Sequence, residues 1–184
     1  NEMRRRFVRW YFGFCKPIPN RPPEIDQARW LERVDVEYAN VRAALLWGMQ
    51  QNDFSGMMVE MVVDLWSYWF RRAFINEGRY WFIPALERVN AATPLYQTKL
   101  WLYSAAQAYR QADYTTAWQR LEHGTQCAIE INDDAMLAQA KRIRGNLFLV
   151  QHEYAAARAE YLTSLALCRA AGDMIGIAMS LSNL

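Results

Sequence analysis

Cys127 lies four residues after His123, one helical turn away, where a thiol and an imidazole can meet as nucleophile and base. Such a pair also needs a group to orient the base and a pocket for substrate, and the neighbouring residues suggest neither. A small half-buried thiol beside a surface imidazole is the better reading. Glu32, Asp35 and Glu37 bring three carboxylates close together, the raw material of acid–base chemistry. At helical spacing they read as a solvated face instead. The Trp and Tyr crowding between Trp66 and Trp81 reads as core between successive helices rather than an aromatic ligand cage. The phosphate-binding patterns GxxxxGK[ST] and GxGxxG are absent, as are GxSxG and HExxH. No catalytic residue is expected, and the chain reads as something other than an enzyme.

Three Cys without a CxxC pair and two His leave no disulfide framework and no zinc set, so no metal or cofactor is expected. Reduced thiols of this kind suit a cytoplasmic protein. With 21 basic and 19 acidic side chains the net charge is +2, which makes no case for direct nucleic-acid binding. Arg4, Arg5, Arg6 and Arg9 cluster, but on a helix they point several ways and read as a solvated turn. The most apolar stretch, Met57 to Phe70, is interrupted by Glu60 and Asp64, so no membrane span is expected. No signal peptide opens the sequence. It starts at Asn1 without Met and stops at Leu184 within a helical pattern, so a piece of a larger protein is expected.

The elements that must position these groups are helical. The composition is globular, 53% hydrophobic and 22% charged, and eight Gly with six Pro are too few for the turns of a sandwich or barrel. Helical spacing recurs almost everywhere and strand alternation almost nowhere. A first helix is predicted over about 2–14, followed by Lys16 to Pro23, where four Pro forbid regular structure. The next pattern runs over about 24–51, with Trp30, Leu31, Val34, Tyr38, Val41, Leu45 and Met49 on one stripe. Its length suggests a break near Val34 to Asp35. Further helices are predicted at about 54–71, 76–90, 94–110, 114–130, 134–151, 154–171 and 174–184, about nine in all. Thr93-Pro94 reads as a cap followed by a first-turn Pro, and Asp53, Asp133 and Asp173 read as N-caps.

A shift of forty residues aligns the last two-thirds of the chain with itself. Tyr114 falls on Tyr154, Ala117 on Ala157, Leu121 on Tyr161, Gly124 on Ser164, and Ala105 on Gly145. A shift of 39 places Ile75, Gly78, Phe82 and Ala85 before Tyr114, Ala117, Leu121 and Gly124. Each unit is a helix pair with a short turn, Gln111 to Asp113 or Gln151 to Glu153. Small residues (Gly78, Ala105, Ala117, Gly145, Ala157) let backbones approach, and Tyr114, Leu121, Tyr154 and Tyr161 are expected to fill the space between successive pairs. One hairpin cannot bury its own face, so such units must stack. The organisation expected is an N-terminal helical arm over 1–52 and repeats of about forty residues over 53–184.

Arg144-Gly145-Asn146-Leu147-Phe148 with Glu153-Tyr154-Ala155-Ala156-Ala157 resembles the tetratricopeptide repeat, from which the unit 98–137 departs at Ser104 and Ala108. Trp30-Leu31-Glu32-Arg33, then Glu37 through Leu45, then Asn52-Asp53 form a second pattern. With Leu65-Trp66, Trp69-Phe70, Glu77-Gly78-Arg79-Tyr80-Trp81 and Ala85-Leu86 it resembles the arm and repeat region of bacterial STAND-class signal-transduction ATPases, many of them transcription regulators. The resemblance implies an all-α fold, a right-handed superhelical stack of antiparallel helix pairs (an α-solenoid). It implies an interaction or sensor module that binds a protein, a peptide or a small-molecule inducer and relays this to an ATPase outside the segment. A freestanding scaffold that binds peptide termini is the alternative. The face turned towards the hollow of such a superhelix would carry Lys99, Leu102, Ala106, Tyr109 and Arg110, then Gln139, Arg142, Asn146 and Leu149. An earlier unit would add Ser67, Phe70 and Arg71. The basic members with Asn146 would offer donors to a carboxylate or phosphate, and Tyr109 and Phe70 would meet an apolar moiety.

Overall fold

The computed structural model describes residues 2–16 and 23–184, with the backbone alone for 23–26. Among the described residues the secondary structure is nine α-helices, with short 3-10 turns at Asn52–Phe54 and Val89–Ala91 and no strand. The helices are α1 (Glu2–Cys15), α2 (Pro23–Gly48), α3 (Ser55–Arg71), α4 (Ile75–Leu86), α5 (Pro94–Arg110), α6 (Tyr114–Glu130), α7 (Asp134–Val150), α8 (Tyr154–Ala171) and α9 (Met174–Ser182). The all-helical expectation holds, with the fourth helix ending earlier than 90 and giving way to the second 3-10 turn. Contacts divide the chain into two compact units, Asn1–Thr93 and Pro94–Leu184.

In the first unit α3 meets α1, α2, α4 and both 3-10 turns. Met58, Val59, Met61, Val62, Val63, Leu65, Tyr68 and Trp69 are all buried, so apolar groups occupy nearly every side of this helix. A helix apolar all round is stable only when others wrap it. Asp64 is buried among them, and Lys16 Nζ lies 3.8 Å from its Oδ2 and 3.2 Å from Glu60 Oε2.

The long helix α2 is unbroken, contrary to the break expected near Val34 to Asp35. Val34 is fully buried, and Asp35 accepts hydrogen bonds from Tyr68 Oη at 2.9 Å and Arg72 Nε at 3.1 Å. Pro23 opens α2, where its missing N–H costs nothing. The proline-rich stretch before it, 17–22, lies outside the described residues. Nor are the carboxylates of α2 merely a solvated face. Glu37 accepts from Tyr11 Oη at 2.6 Å and Asn40 Nδ2 at 2.8 Å, so with Asp35 it ties α1 and α3 to α2, while Glu32 stays exposed. The arginines of α1 differ from expectation too. Arg5 and Arg9 lie over the Phe54 ring at 5.5 and 5.8 Å, and Arg5 pairs with Asp53 at 2.5 Å.

In the second unit α5 packs along α6 and α7 along α8. Smaller contacts join α6 to α7 and α8 to α9, and α5 touches α7 as α7 touches α9. The turns between them share one construction. Ala112, Asn132, His152 and Gly172 are left-handed at φ 57, 52, 63 and 68°, and Ala73 repeats this in the first unit at 57°. The next N–H returns to a carbonyl of the preceding helix: Asp113 to Ala108 at 3.0 Å, Asp133 to Ala128 at 3.1 Å, Glu153 to Phe148 at 3.0 Å, Asp173 to Cys168 at 2.9 Å. This is the Schellman closure of a helix C-terminus. Asp113, Asp133 and Asp173 then cap the following helix by accepting from Thr116, Met136 and Gly176 N–H at 3.2, 2.9 and 3.0 Å. The expected cap at Asp53 is absent, because α3 follows directly on a 3-10 turn and the Asp53 carboxylate is turned to Arg5.

The small repeat positions Gly78, Ala105, Ala117, Gly145 and Ala157 are all buried. A Cβ on Gly145 would stand 2.4 Å from Tyr161 Cε1, and one on Gly124 2.6 Å from Leu102 Cδ2. Leu121 and Tyr161 fill the interior as expected, but Tyr114 and Tyr154 are 38% and 62% exposed. Both stand at the first position of a helix, where the side chain projects back over the preceding turn. Tyr114 accordingly lies against Tyr109 at 6.1 Å, and Tyr154 Oη stands 3.0 Å from His152 Nδ1.

Candidate functional site

The candidate groove residues divide between the two units, Phe70 and Arg71 in the first and the remainder in the second. Phe70 is 46% exposed with its ring against Trp66 at 5.5 Å, and Arg71 is exposed. In the second unit Lys99 Nζ lies 5.3 Å from the Tyr96 ring centroid, Tyr109 is half-buried and Arg110 is exposed. Asn146 is engaged, its Oδ1 accepting from Tyr161 Oη at 2.8 Å and Asn183 Nδ2 at 3.4 Å. Leu102 is no groove residue: it is fully buried and packs on Gly124. It lies three residues before Ala105 and therefore shares the inward face of α5.

Gln139 and Arg142 are brought together in a small cavity of about 190 Å³ walled by α7, the end of α8 and the start of α9. Cys168, Asp173, Gly176 and Met179 also line it. The Arg142 guanidinium is half-buried and makes no hydrogen bond or ion pair with any described residue. Burial pulls its pKa below the ordinary range, while Cys168, Asp173 and Tyr103 oppose that shift. Asp173 Oδ1 caps α9, and its Oδ2 lies over Gly176, where a Cβ would approach it to 2.3 Å and Cys168 Sγ to 2.5 Å. Reasoning from spacing missed Cys168 and the second role of Asp173, because a capping aspartate shows only its local purpose in sequence.

In the first unit the two segments of the N-terminal pattern meet at Glu77. Its Oε1 accepts from Trp81 Nε1 and Arg42 Nε, each at 2.8 Å. Tyr38 accepts from Trp69 Nε1 at 2.7 Å and bonds to Glu77 in turn, and burial raises its phenol pKa far above the ordinary value. An open hollow of about 600 Å³ lies beside this knot, lined by Tyr38, Phe74 and Glu77 among others. Every charged group of the knot is already partnered, so it reads as a brace between α2, α3 and α4.

The pair that opened the sequence analysis is positioned for packing. His123 stacks on Trp101 at 4.8 Å and 29°, and burial first, then Glu130, raises the Cys127 thiol pKa. A thiol so perturbed is a poor nucleophile at neutral pH. Among the described residues no three His, Cys, Asp or Glu converge as a metal site requires, and no helix is long and apolar enough to cross a membrane.

No protein-family model matches the chain. Three curated proteins, one from Mycobacterium bovis and two from strains of Mycobacterium tuberculosis, are 34% identical to it over 77 residues. Each carries the provisional name of an HTH-type transcriptional regulator. The similar stretch covers 42% of this chain and 9% of each relative, so the chain spans only a small part of their length.

Proposed function

We propose that this chain is a non-catalytic interaction and sensor module of a cytoplasmic transcription regulator of the STAND type, built as a tetratricopeptide-like solenoid. It binds a protein, a peptide or a small inducer and passes that state to an ATPase elsewhere in the regulator. The observation that carries this reading is the second unit's regular construction. Left-handed turns at 112, 132, 152 and 172 set one helix after another at equal intervals, and alternate helices touch, α5 to α7 and α7 to α9. Such stacking buries the small residues, packs Tyr109 against the core and leaves Lys99, Arg110 and Arg142 outside it. Similarity to part of proteins named as transcription regulators supports the same context. Relay of binding requires that the ligand prefer one arrangement of the regulator over another.

The test is a reporter assay on the regulator that carries this segment, with Lys99→Glu and Arg110→Glu introduced together. The expected outcome is an altered transcriptional response with unchanged protein level and helix content. A response identical to wild type would make the basic face of the second unit irrelevant and sink the reading.

A further inference from the structure

Arg142 and Asp173 face the same cavity without forming an ion pair with each other. Two opposite charges in one hollow normally close on one another unless geometry holds them apart. Here Arg142 reaches the hollow from α7, and Asp173 is fixed by its bond to Gly176 N–H at 3.0 Å. One carboxylate oxygen is thereby spent on the helix and Oδ2 is left for another donor. Oδ2 and the buried Cys168 Sγ pack directly over Gly176, where a Cβ would collide with both. Gln139 adds an amide with a donor and an acceptor, and Met136, Ile175 and Met179 supply an apolar rim.

We propose that this cavity binds a small apolar α-amino acid. Its carboxylate would take the guanidinium of Arg142 and its ammonium the free oxygen of Asp173, with the side chain against the methionines. A guanidinium matches a carboxylate's two oxygens, and a zwitterion satisfies both cavity charges where a simple acid or amine satisfies one. The volume agrees with this class. The hollow is small, about 190 Å³, which suits a ligand of amino-acid size. The assignment rests on the sensor reading above and names the inducer class for it.

The experiment is calorimetric titration of the 184-residue chain with L-valine, L-leucine and L-methionine, and with 4-methylpentanoate and 3-methylbutylamine, which each lack one charge of leucine. At least one amino acid should bind saturably, with both single-charge analogues at least tenfold weaker. Arg142→Gln and Asp173→Asn should each weaken binding at least tenfold. Asn retains the capping oxygen, so α9 stays in place and circular dichroism should match wild type. No binding by any of the three amino acids, equal binding of an analogue, or binding indifferent to both substitutions overturns the assignment. Lys99 and Arg110 do not line the cavity, so the reporter assay can still succeed when this titration fails.

Discussion

Gly145→Ala adds one methyl group to α7, and the surrounding geometry makes its sign calculable. Replacing a helical glycine ordinarily stabilises by about 1 kcal/mol, because alanine loses less backbone entropy on folding. At Gly145 the new Cβ would lie 2.4, 2.7 and 2.9 Å from three atoms of the Tyr161 ring. Ordinary contact needs roughly 3.5–4.0 Å, so the ring must retreat by about 1 Å. Tyr161 is 2% exposed and its Oη is bonded to Asn146 at 2.8 Å, so the retreat strains packing and that bond together. Overpacking costs about 1–3 kcal/mol and the bond about 1 kcal/mol. After subtracting the helix gain, the net loss is about 2 kcal/mol, which lowers the melting temperature of a unit this size by ~8–16 °C. Gly13→Ala is the control, since nothing lies within 4 Å of a Cβ there, and it should stabilise by about 0.5–1 kcal/mol. Thermal melts by circular dichroism read both. Tyr161→Leu should relieve part of the Gly145→Ala loss, giving a coupling above about 0.5 kcal/mol in the double-mutant cycle. Equal stability of Gly145→Ala and wild type, or strict additivity in the cycle, would refute the proposed α7–α8 contact.

The left-handed turns predict that Ala112→Gly, at φ 57°, gains about 1 kcal/mol and Gly172→Ala, at φ 68°, loses about as much, measured by urea unfolding. Asp133→Ala should cost about 1 kcal/mol by removing the bond to Met136 N–H, whereas Asp53→Ala, which loses only an exposed ion pair with Arg5, should cost under about 1 kcal/mol in the same assay. Tyr11 Oη, with Asn40 second, holds the Glu37 carboxyl below its ordinary pKa. A depressed pKa contributes stability above the unfolded carboxylate value and loses it as pH falls through the folded value. Tyr11→Phe should therefore raise the Glu37 pKa in a carboxyl NMR titration and weaken the fold near pH 7, with the deficit shrinking in acid.

The helices were legible in the sequence because their information is local. Apolar residues at three- and four-residue spacing, Pro94 at a helix start, and Asp133 and Asp173 before apolar runs each act within one or two turns. The repeat was legible for a related reason: a small residue such as Gly145 facing a large one such as Tyr161 leaves matched volumes one period apart. The turns were only partly legible, since Ala, Asn, His and Gly share one left-handed backbone that residue type hides. What tertiary structure alone decided was which polar groups meet. Asp35 joins Tyr68 of α3, Glu77 joins Arg42 of α2, and Arg142 and Asp173 line one cavity. These pairs are separated by about thirty residues or more, or depend on which way one helix is rotated against the next. No local periodicity encodes them, because a charged residue on a helix face reads the same until a second helix determines whether water or a partner lies opposite.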